Sequence, residues 1–353
     1  MCWGSRRTAA TGDDFRRTVR EPTTFVLCAQ RVCLHRIANP RSVAAHSILQ
    51  LRCESEMIVV ASSGLNIPPD LVKDCEIAET PNSITIDGQS YDVRGFGSLE
   101  EAIALLKRSK APPHMLGSSA PQYVSLFGAL SSRARAILVV TGTRKFLGTY
   151  HAAIAAARTT QGIRKSLQIK VLDSGLIELG AGLIALYCAA AARSRPDDDL
   201  ALIYDAGQAL SGAATQLCAP ATRTAMEWSK GADLPRMVLS QGDPRIPIIG
   251  MKEGDFQLVG MRDPGRPLAD EILALLLPRY PRNTALWVAI SYCECREAAQ
   301  ELLASLRRYY DIRYAMVCSM TIAGYLLVGS GGIGLCVAPI GAAKLPAKLP
   351  ESR

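Results

Sequence analysis

Aromatic residues are scarce in this chain of 353 residues, at 6% of the sequence, and no basic stripe runs through it. Proteins that bind nucleic acids usually combine a concentrated basic surface with aromatic side chains that stack on bases. The net charge is +8, of which residues 1–56 contribute +4, from nine Arg and five acidic residues. The other +4 is spread over the rest of the chain. We therefore expect no nucleic-acid partner.

The chain also lacks the short motifs of the common nucleotide-binding and hydrolase folds. It has no Walker A loop, and no Gly-x-Gly-x-x-Gly leads from a strand pattern into a helix pattern. Ser118 and Ser119 lack the Gly-x-Ser-x-Gly context of a hydrolase. Only four His are present, and His151 suits a surface or capping role better than a catalytic one. These absences predict a protein that is not an enzyme.

Eleven Cys are present, but their spacing suggests neither a metal site nor a disulfide framework. Four lie within residues 1–56, and most of the others, such as Cys188 and Cys336, lie within apolar runs. Cys293 and Cys295 are separated by a single residue, which is not the usual zinc spacing. We interpret the cysteines as free thiols in a reducing, cytoplasmic protein that holds no metal or other cofactor.

Long apolar runs suited to a membrane are also few. Residues 316–343 carry no charge, but their six Gly and one Pro suit turns better than a lipid-facing helix. Residues 175–192 are interrupted by Glu178 and directly follow a strand pattern, which favours a buried crossover helix. We therefore expect no membrane span.

Residues 1–56 show no regular hydrophobic period and no apolar core of signal-peptide length. Asp13, Asp14 and Glu21 are unusual for a transit peptide, whereas Met57 begins a natural first strand. Our hypothesis is that residues 1–56 are a disordered extension or the product of a misplaced start, with Met57 as the true start. A native peptide that spans residues 56 and 57 would contradict the second version.

From residue 57 the pattern alternates between strands and helices, which predicts an α/β fold with a parallel sheet covered on both faces. After about residue 220 shorter strands predict a mixed α/β region, with a hairpin turn at Glu253 and Gly254. We expect a three-layer first domain at 57–220, a second domain at 221–341 and a frayed tail at 342–353. The predicted strands are 57–61, 136–140, 167–172, 236–239, 246–251, 256–261, 285–291, 314–317 and 335–338, with a hairpin at 83–93. The predicted helices are 99–108, 121–132, 148–160, 180–193, 200–215, 268–277 and 296–309.

Residues 136–160 are the most informative about function. A predicted strand is followed by Gly148 and Thr149 and then by an alanine-rich helix pattern. Unpaired N–H groups at such a helix start attract anions, and Thr149 adds a hydroxyl. Asp173 and Ser174 end the next strand, at the edge where open α/β sheets bind ligands. Without further context, ordinary turn and cap roles are the better explanation of these residues.

These stretches resemble the motifs of the DegV family, whose members bind fatty acids. The family pattern Leu-Ser-Gly-Thr-Tyr-Gln-x-Ala corresponds to residues 146–153, and an apolar strand ending in Asp-Ser follows in both. Residues 60–68 stand where the family has Val-Thr-Asp-Ser to Leu-Pro, and residues 118–121 where it has Thr-Ser-Gln-Pro. Residues 329–331 stand at its Gly-Pro-Gly. The resemblance runs from Met57 to about Pro339 and implies a DegV-like, two-domain fold.

The resemblance also implies a function and a set of residues for it. Family members hold a fatty acyl chain in a tunnel of the first domain, with its carboxylate between the domains, and present it to a separate kinase. The implied partners are therefore a long-chain fatty acid or similar apolar ligand and a fatty acid kinase. The residues carried over for lipid binding are Ser63, Ser118, Ser119, Leu147, Gly148, Thr149, Gly329 and Gly331, with Arg262 as a candidate contact to a phosphate or a partner.

Several departures from the family pattern fall at the implied carboxylate position. The family serine is Leu147 here, its Gly-Gly-Arg is Gly231-Ala232-Asp233, and its histidine before Gly-Pro-Gly is Leu327. These changes remove a donor and a cation and add an anion, which opposes an acidic ligand. We expect a lipid-binding protein with an atypical head-group site. The alternatives are a ligand-free scaffold or regulatory protein and, more weakly, a phosphotransfer enzyme.

Overall fold

The structure is a computed structural model that describes residues 57–196, 198–223 and 244–350, all within one compact unit. The hypothesis about residues 1–56, the predicted strand at 236–239 and the departure at Asp233 lie outside the described residues.

A parallel sheet of four strands has the order β2-β1-β6-β7. Its helices lie on both faces, because apolar side chains alternate along each strand. Val59 and Ala61 of β1 face α5 and α6, whereas Ile58 and Val60 face α3 and α4. This confirms the predicted three-layer arrangement. The strands are β1 Met57–Ser62, β2 Ala78–Thr80, β6 Ala136–Thr141 and β7 Gln168–Asp173, and the helices are α3 Ala120–Leu130, α4 Thr149–Ile163, α5 Glu178–Ser194 and α6 Leu200–Ala213.

A small antiparallel sheet, β4-β3-β5, and helix α2 share one core with Cys218, Ile249 and Met320, which belong to the region of the mixed sheet. Helix α2 has the predicted bounds because its signals agree. Ser98 accepts a hydrogen bond from the backbone N–H of Glu101 at 3.1 Å, and acidic residues open the helix while basic residues close it. The elements are α1 Pro69–Asp74, β3 Ser83–Ile86, β4 Gln89–Asp92, α2 Leu99–Arg108 and β5 His114–Leu116.

A mixed sheet of six strands has the order β10-β9-β8-β13-β11-β12, in which the β11–β12 pair is parallel and the other pairs are antiparallel. Glu253 and Gly254 both have positive φ, at 53° and 79°, as a tight β9–β10 hairpin requires. The elements are β8 Thr215–Ala219, β9 Ile246–Lys252, β10 Asp255–Arg262, α7 Leu268–Leu276, β11 Ala285–Tyr292, α8 Arg296–Arg307, β12 Asp311–Ser319, α9 Ile322–Val328 and β13 Ile333–Pro339.

Helix α5 lies between the parallel and mixed sheets. Its 14 successive residues from Leu179 to Ala192 are all buried, and they share one core with Val59 of β1 and Ala289 of β11. A helix that is apolar on every side needs neighbours on every side. Among the helices that the described residues form, none is long and apolar enough to cross a membrane.

Three expectations about the chain after residue 200 were wrong. The helix predicted to reach Thr215 ends at Ala213, and Thr215 begins strand β8. No helix was predicted between the strands 314–317 and 335–338, whereas α9 lies between β12 and β13. The tail is not frayed as far as it is described, since Leu345 and Leu349 are buried. The hydroxyl of buried Tyr187 also donates to the Leu345 carbonyl at 3.2 Å. The short elements α1, β2 and β5 were not predicted.

The seven cysteines of the described ranges are free. Burial raises the pKa of most of their thiols, for Cys188 and Cys336 to about 12. Thiols that remain protonated at neutral pH are poor nucleophiles and poor metal ligands. This agrees with the interpretation of these residues as unreactive parts of the core.

Candidate functional site

The turn between β6 and α4 has an unusual backbone. Leu147 and Gly148 both lie in the left-handed region, with φ of 56° and 67°. Glycine adopts this conformation freely, but a leucine there is strained. The side chain of Leu147 is also 46% exposed, so burial does not compensate for the strain. Helix α4 then starts at Thr149, and its N-cap residue, Gly148, has no side chain that could cap the first N–H groups.

Gly117 brings a second loop against this turn. A Cβ placed on Gly117 would overlap the Thr149 hydroxyl oxygen and would lie 2.6 Å from the Leu147 carbonyl oxygen. The loop that carries Ser118 can therefore approach the start of α4 only because position 117 has no side chain. Ser118 and Thr149, which are 31 residues apart in sequence, are brought to one place.

Ser118 belongs to a buried group of polar side chains that we call the hydroxyl cluster, formed by Ser63, Thr80, Asn82, Ser118 and Tyr123. The Ser118 hydroxyl lies 2.8 Å from the Thr80 hydroxyl and 3.0 Å from Asn82 Oδ1. The Asn82 backbone N–H donates to the Ser63 hydroxyl at 2.8 Å, and the Ser118 N–H donates to Asn82 Oδ1 at 3.1 Å. Asn82 therefore links the ends of β1 and β2 to the loop before α3.

The hydroxyl cluster contains no charged side chain. Burial raises the pKa of the Tyr123 phenol, while Thr80 and Ser118 face its oxygen. That oxygen is buried and makes no hydrogen bond of ordinary geometry within the described residues. A buried hydroxyl without a hydrogen-bond partner is costly. The Tyr123 hydroxyl, beside Ser118, is therefore able to donate to a ligand. A group that accepts hydrogen bonds would be stabilised here by dipoles rather than by a cation.

The loop before Leu147 is fastened to the β9–β10 hairpin of the mixed sheet. The Thr143 hydroxyl donates to the Gly254 carbonyl at 2.9 Å, and Lys145 forms an ion pair with Asp255. The ring of Phe146 stacks on that of Phe256, with centroids 4.9 Å apart. The strained turn is thus supported from both sheets.

Asp173 and Ser174 perform turn roles in the structure. Asp173 Oδ1 accepts from the N–H of Gly175 at 2.9 Å and from that of Arg144 at 3.1 Å. The Ser174 hydroxyl accepts from the N–H of Leu176 at 3.2 Å. These are the contacts of side chains that close a turn before a helix, as the alternative interpretation of these residues anticipated.

The remaining sites carried over from the family are dispersed. Ser119 is exposed, and its hydroxyl and N–H both lie within 2.8 Å of the Gln122 side-chain oxygen, so it caps α3. Gly329 ends α9 with φ of 67°, and the Gly331 N–H donates to the Cys293 carbonyl at 2.8 Å. Their contacts in the described residues follow the α9–β13 turn rather than the hydroxyl cluster. Leu327 packs beside the core that includes α2.

Arg262 holds the main chain that follows β8. Its guanidinium donates to the carbonyls of Pro220 at 3.1 Å and Ala221 at 2.9 Å. Burial lowers the pKa of Arg262, although nearby Glu271 opposes the shift. Its Nε is buried without a partner in the described residues. No group of His, Cys, Asp and Glu in the described ranges is arranged to hold a metal ion.

Two features of the structure carried little or no functional signal in the sequence. Asn82, the centre of the hydroxyl cluster, follows Pro81 and resembles an ordinary turn residue. Glu178 looked like a break in an apolar run, yet its carboxyl lies at the junction of the parallel and mixed sheets. The Asn66 amide donates to it at 3.1 Å and the Ser291 hydroxyl at 2.8 Å.

Comparison with known proteins finds a similarity to one family. The family model of DegV, described as an uncharacterised protein family, matches residues 56–204. A DegV domain-containing protein of Caldanaerobacter subterraneus is 31% identical over 134 residues, which are 38% of this chain and 46% of that protein. The chain thus matches about half the length of this curated relative.

Solved structures extend the similarity of fold beyond the matched sequence. A DegV family protein from Thermus thermophilus, described as binding fatty acid, has a TM-score of 0.72 at 17% identity, covering 80% of this chain and 99% of that one. DegV of Bacillus subtilis, described as a fatty acid binding protein, has a TM-score of 0.70 at 14% identity, covering 81% and 99%. At these identities the comparisons establish the fold, which confirms the α/β prediction.

Proposed function

Residues 56–204 of this chain belong to the DegV family, and from that premise we propose that the protein binds a long-chain acyl ligand. The solved structures that share its fold are described as fatty-acid-binding proteins, which supports the same class of ligand. The head group would lie at the hydroxyl cluster and the start of α4. The chain would act as a carrier, with no chemical step of its own.

One observation carries the proposal: the close approach at Gly117 brings a buried hydroxyl cluster to an uncapped helix start. Both halves donate hydrogen bonds, so an oxygen acceptor is the matching partner. A carboxylate has two such oxygens and is also favoured by the helix dipole. An apolar tail is accommodated only where the surroundings are dry, and the flanking layers are apolar cores.

The head-group site is proposed to be atypical, since the hydroxyl cluster has no cation. Leu147 removes a hydroxyl that the family places beside Gly148. A carboxylate held only by neutral donors is stabilised less than one that meets Arg or Lys. We therefore expect this protein to discriminate weakly between a fatty acid and a neutral analogue of the same chain length.

Native mass spectrometry of the delipidated full-length chain tests both parts. The chain is mixed separately with oleic acid and with oleyl alcohol, which differ in the head group. Retention of one oleic acid supports the carrier proposal, and comparable retention of the alcohol supports the atypical head group. Uptake of neither molecule would overturn the proposed function.

Two substitutions locate the head group. Ser118→Ala removes a buried donor and should weaken oleic acid binding about tenfold, the loss of roughly 1.4 kcal/mol expected for one such bond.

Leu147→Ser restores a hydroxyl and should strengthen oleic acid binding by a similar factor, with little change for oleyl alcohol. Leu202→Ser is the matched control, because Leu202 is 41% exposed on α6. Equal effects at Leu147 and Leu202 would exclude the turn as the head-group site.

A ligand-free scaffold is the second candidate, and two observations favour it. The hydroxyls of Ser118 and Ser63 already have partners within the protein. Helix α5 is buried along 14 successive residues, so the core next to the parallel sheet is well filled. A scaffold would retain neither lipid, and Ser118→Ala would then change stability alone.

The proposed transfer of the ligand to a kinase is supported by the family resemblance alone. It is tested after lipid binding is established, by adding a fatty acid kinase and ATP and measuring acyl phosphate. No acyl phosphate from a loaded chain would remove the kinase from the proposal and leave the carrier in place.

A further inference from the structure

Glu178 is the first residue of α5, and its backbone lies in the left-handed region with φ of 45°. Carboxylates are common in the first turn of a helix, where they normally point to solvent. Here the residue keeps some exposed surface, but its carboxyl group turns inward and burial raises its pKa. A strained backbone that delivers a carboxyl to the interior indicates a specific role for that group.

Donors from four parts of the chain face this carboxyl. The Asn66 amide donates to Oε1 at 3.1 Å, and the Ser291 hydroxyl of β11 donates to Oε2 at 2.8 Å. The backbone N–H groups of Leu179 and Thr321 also face the carboxyl. We call these groups the Glu178 clasp. It joins the loop after β1 and the start of α5 to β11 and the start of α9.

The space around the carboxyl is built to hold it. A Cβ on Gly324 would overlap Glu178 Oε1, and one on Gly334 would lie 3.7 Å from Oε2 and 2.6 Å from the Ser291 hydroxyl oxygen. The Asn66 amide also donates to the Ser319 carbonyl at 3.1 Å, which fixes its orientation. Two glycines and an oriented amide thus shape the position of one carboxyl group.

The charged and titratable groups around the clasp do not neutralise it. Cys218 of β8, Cys293 after β11 and Cys318 of β12 are thiols whose pKa is raised by burial. Arg94 is a cation that faces Cys318, and its guanidinium forms an ion pair with Glu79 at 2.7 Å. Asp70 also faces Cys318 and is acidic. Gln216, Ser291 and Thr321 are uncharged, and no ion pair of Glu178 occurs among the described residues.

We propose that the Glu178 clasp is a proton-dependent link between the parallel and mixed sheets, closed while the carboxyl is neutral and loosened when it ionises. Among the residues that the structure describes, an ionised carboxyl here has donors but no cation, and it is removed from water. A route for water is close at hand. A groove of about 380 Å³ is lined by Asn66, Cys318, Ser319 and Thr321, so separation of the clasp would open the carboxyl toward that groove.

The direction of the pH dependence follows from linkage. Burial raises the pKa of Glu178 above its ordinary value of 4.5, so the native state binds the proton more tightly than the unfolded state does. The stabilising effect is complete below the unfolded pKa and is lost as the pH rises through the folded pKa. In that window the unfolding equilibrium constant should rise by up to about tenfold per pH unit.

Equilibrium unfolding of the full-length chain from pH 5 to pH 9 tests the proposal. Glu178→Gln keeps the shape and removes the titration, so its stability should depend less on pH than that of the wild type. The two curves should diverge as the pH rises. The control is Glu301→Gln, since Glu301 is exposed on α8. Glu79 also titrates with a raised pKa, but it does so in wild type and variant alike. Parallel curves would overturn the proposal.

Hydrogen exchange separates opening of the clasp from global unfolding and does not require the variant to fold. In the wild type, peptides that carry Glu178, Ser291 and Thr321 should exchange faster at high pH, after correction for intrinsic rates, while peptides of β6 and β7 stay protected. Equal protection of the clasp at pH 5 and pH 9 would contradict a proton-dependent link. The clasp does not depend on lipid binding, so the failure of either proposal leaves the other intact.

Discussion

The hydroxyl cluster and the Glu178 clasp are both buried groups of polar side chains that include an asparagine, but only the clasp contains an ionisable carboxyl. Asn82 links neutral hydroxyls, whereas Asn66 donates to an acid that has no cation beside it in the described part of the chain. Neutral groups are satisfied by hydrogen bonds alone at any pH, whereas a buried acid changes the requirement when it titrates. The first arrangement is suited to an oxygen ligand, and the second to sensing protons.

Gly324→Ala should have the largest effect on this comparison. Its new Cβ would overlap Glu178 Oε1 and lie 3.0 Å from Met320 Cβ, so the carboxyl or α9 has to move. We expect a loss of about 2–4 kcal/mol in the free energy of unfolding, measured by chemical denaturation. Gly128→Ala is the control, because a Cβ at that position of α3 would meet no described atom within 4 Å beyond the helix's own backbone. It should stabilise the protein by about 0.5–1 kcal/mol.

An equal response at Gly324 and Gly128 would show that the Glu178 carboxyl is loosely held. It would also remove the steric evidence for the clasp. The hydroxyl cluster offers an internal comparison, since a Cβ on Gly64 would collide with the Asn82 amide.

The pH dependence of stability in two asparagine variants tests the difference between the hydroxyl cluster and the Glu178 clasp. Asn82→Ala and Asn66→Ala should each cost about 1–3 kcal/mol, since each leaves buried groups without a partner. The cost at Asn66 should fall as the pH rises, because the proposed loosening of the clasp on ionisation of Glu178 separates its amide from the carboxyl. The cost at Asn82 should stay constant from pH 5 to pH 9. Unfolding curves at several pH values measure both, and the same slope for the two variants would contradict the assigned difference.

Local signals predicted much of the fold because they reinforce one another. The cap, charges and apolar stripe of α2 all agree on residues 99–108, and the alternation along β1 identifies both faces of the parallel sheet. Strand β8 was missed because the apolar run of α6 continues into it with one intervening extended residue. Whether Thr215 ends a helix or starts a strand is decided by pairing with β13 and β9, which are distant in sequence.

The residues of the candidate sites were also predicted only where a local motif marks them. Thr149 and Ser118 were predicted from motifs, and the structure brings them together at Gly117. Tyr123 and Asn82 were not identified, because a tyrosine in an apolar helix and an asparagine in a turn are ordinary residues in sequence. Glu178 is separated from Asn66 by 112 residues and from Ser291 by 113. No local pattern records such contacts, so the clasp becomes visible only in three dimensions.

Leu147→Gly should have the smallest effect, and it bears on why the strained turn exists. Glycine relieves the left-handed conformation, and the exposed leucine loses little burial, so the protein should gain about 0.5–1 kcal/mol. Leu202→Gly, at a similarly exposed helical position, should instead lose about 1 kcal/mol. A gain at Leu147, read from the denaturation midpoint at unchanged slope, means that leucine is retained there at a cost to stability. A loss would mean that Leu147 is a packing residue, and the turn would then need no ligand to account for its strain.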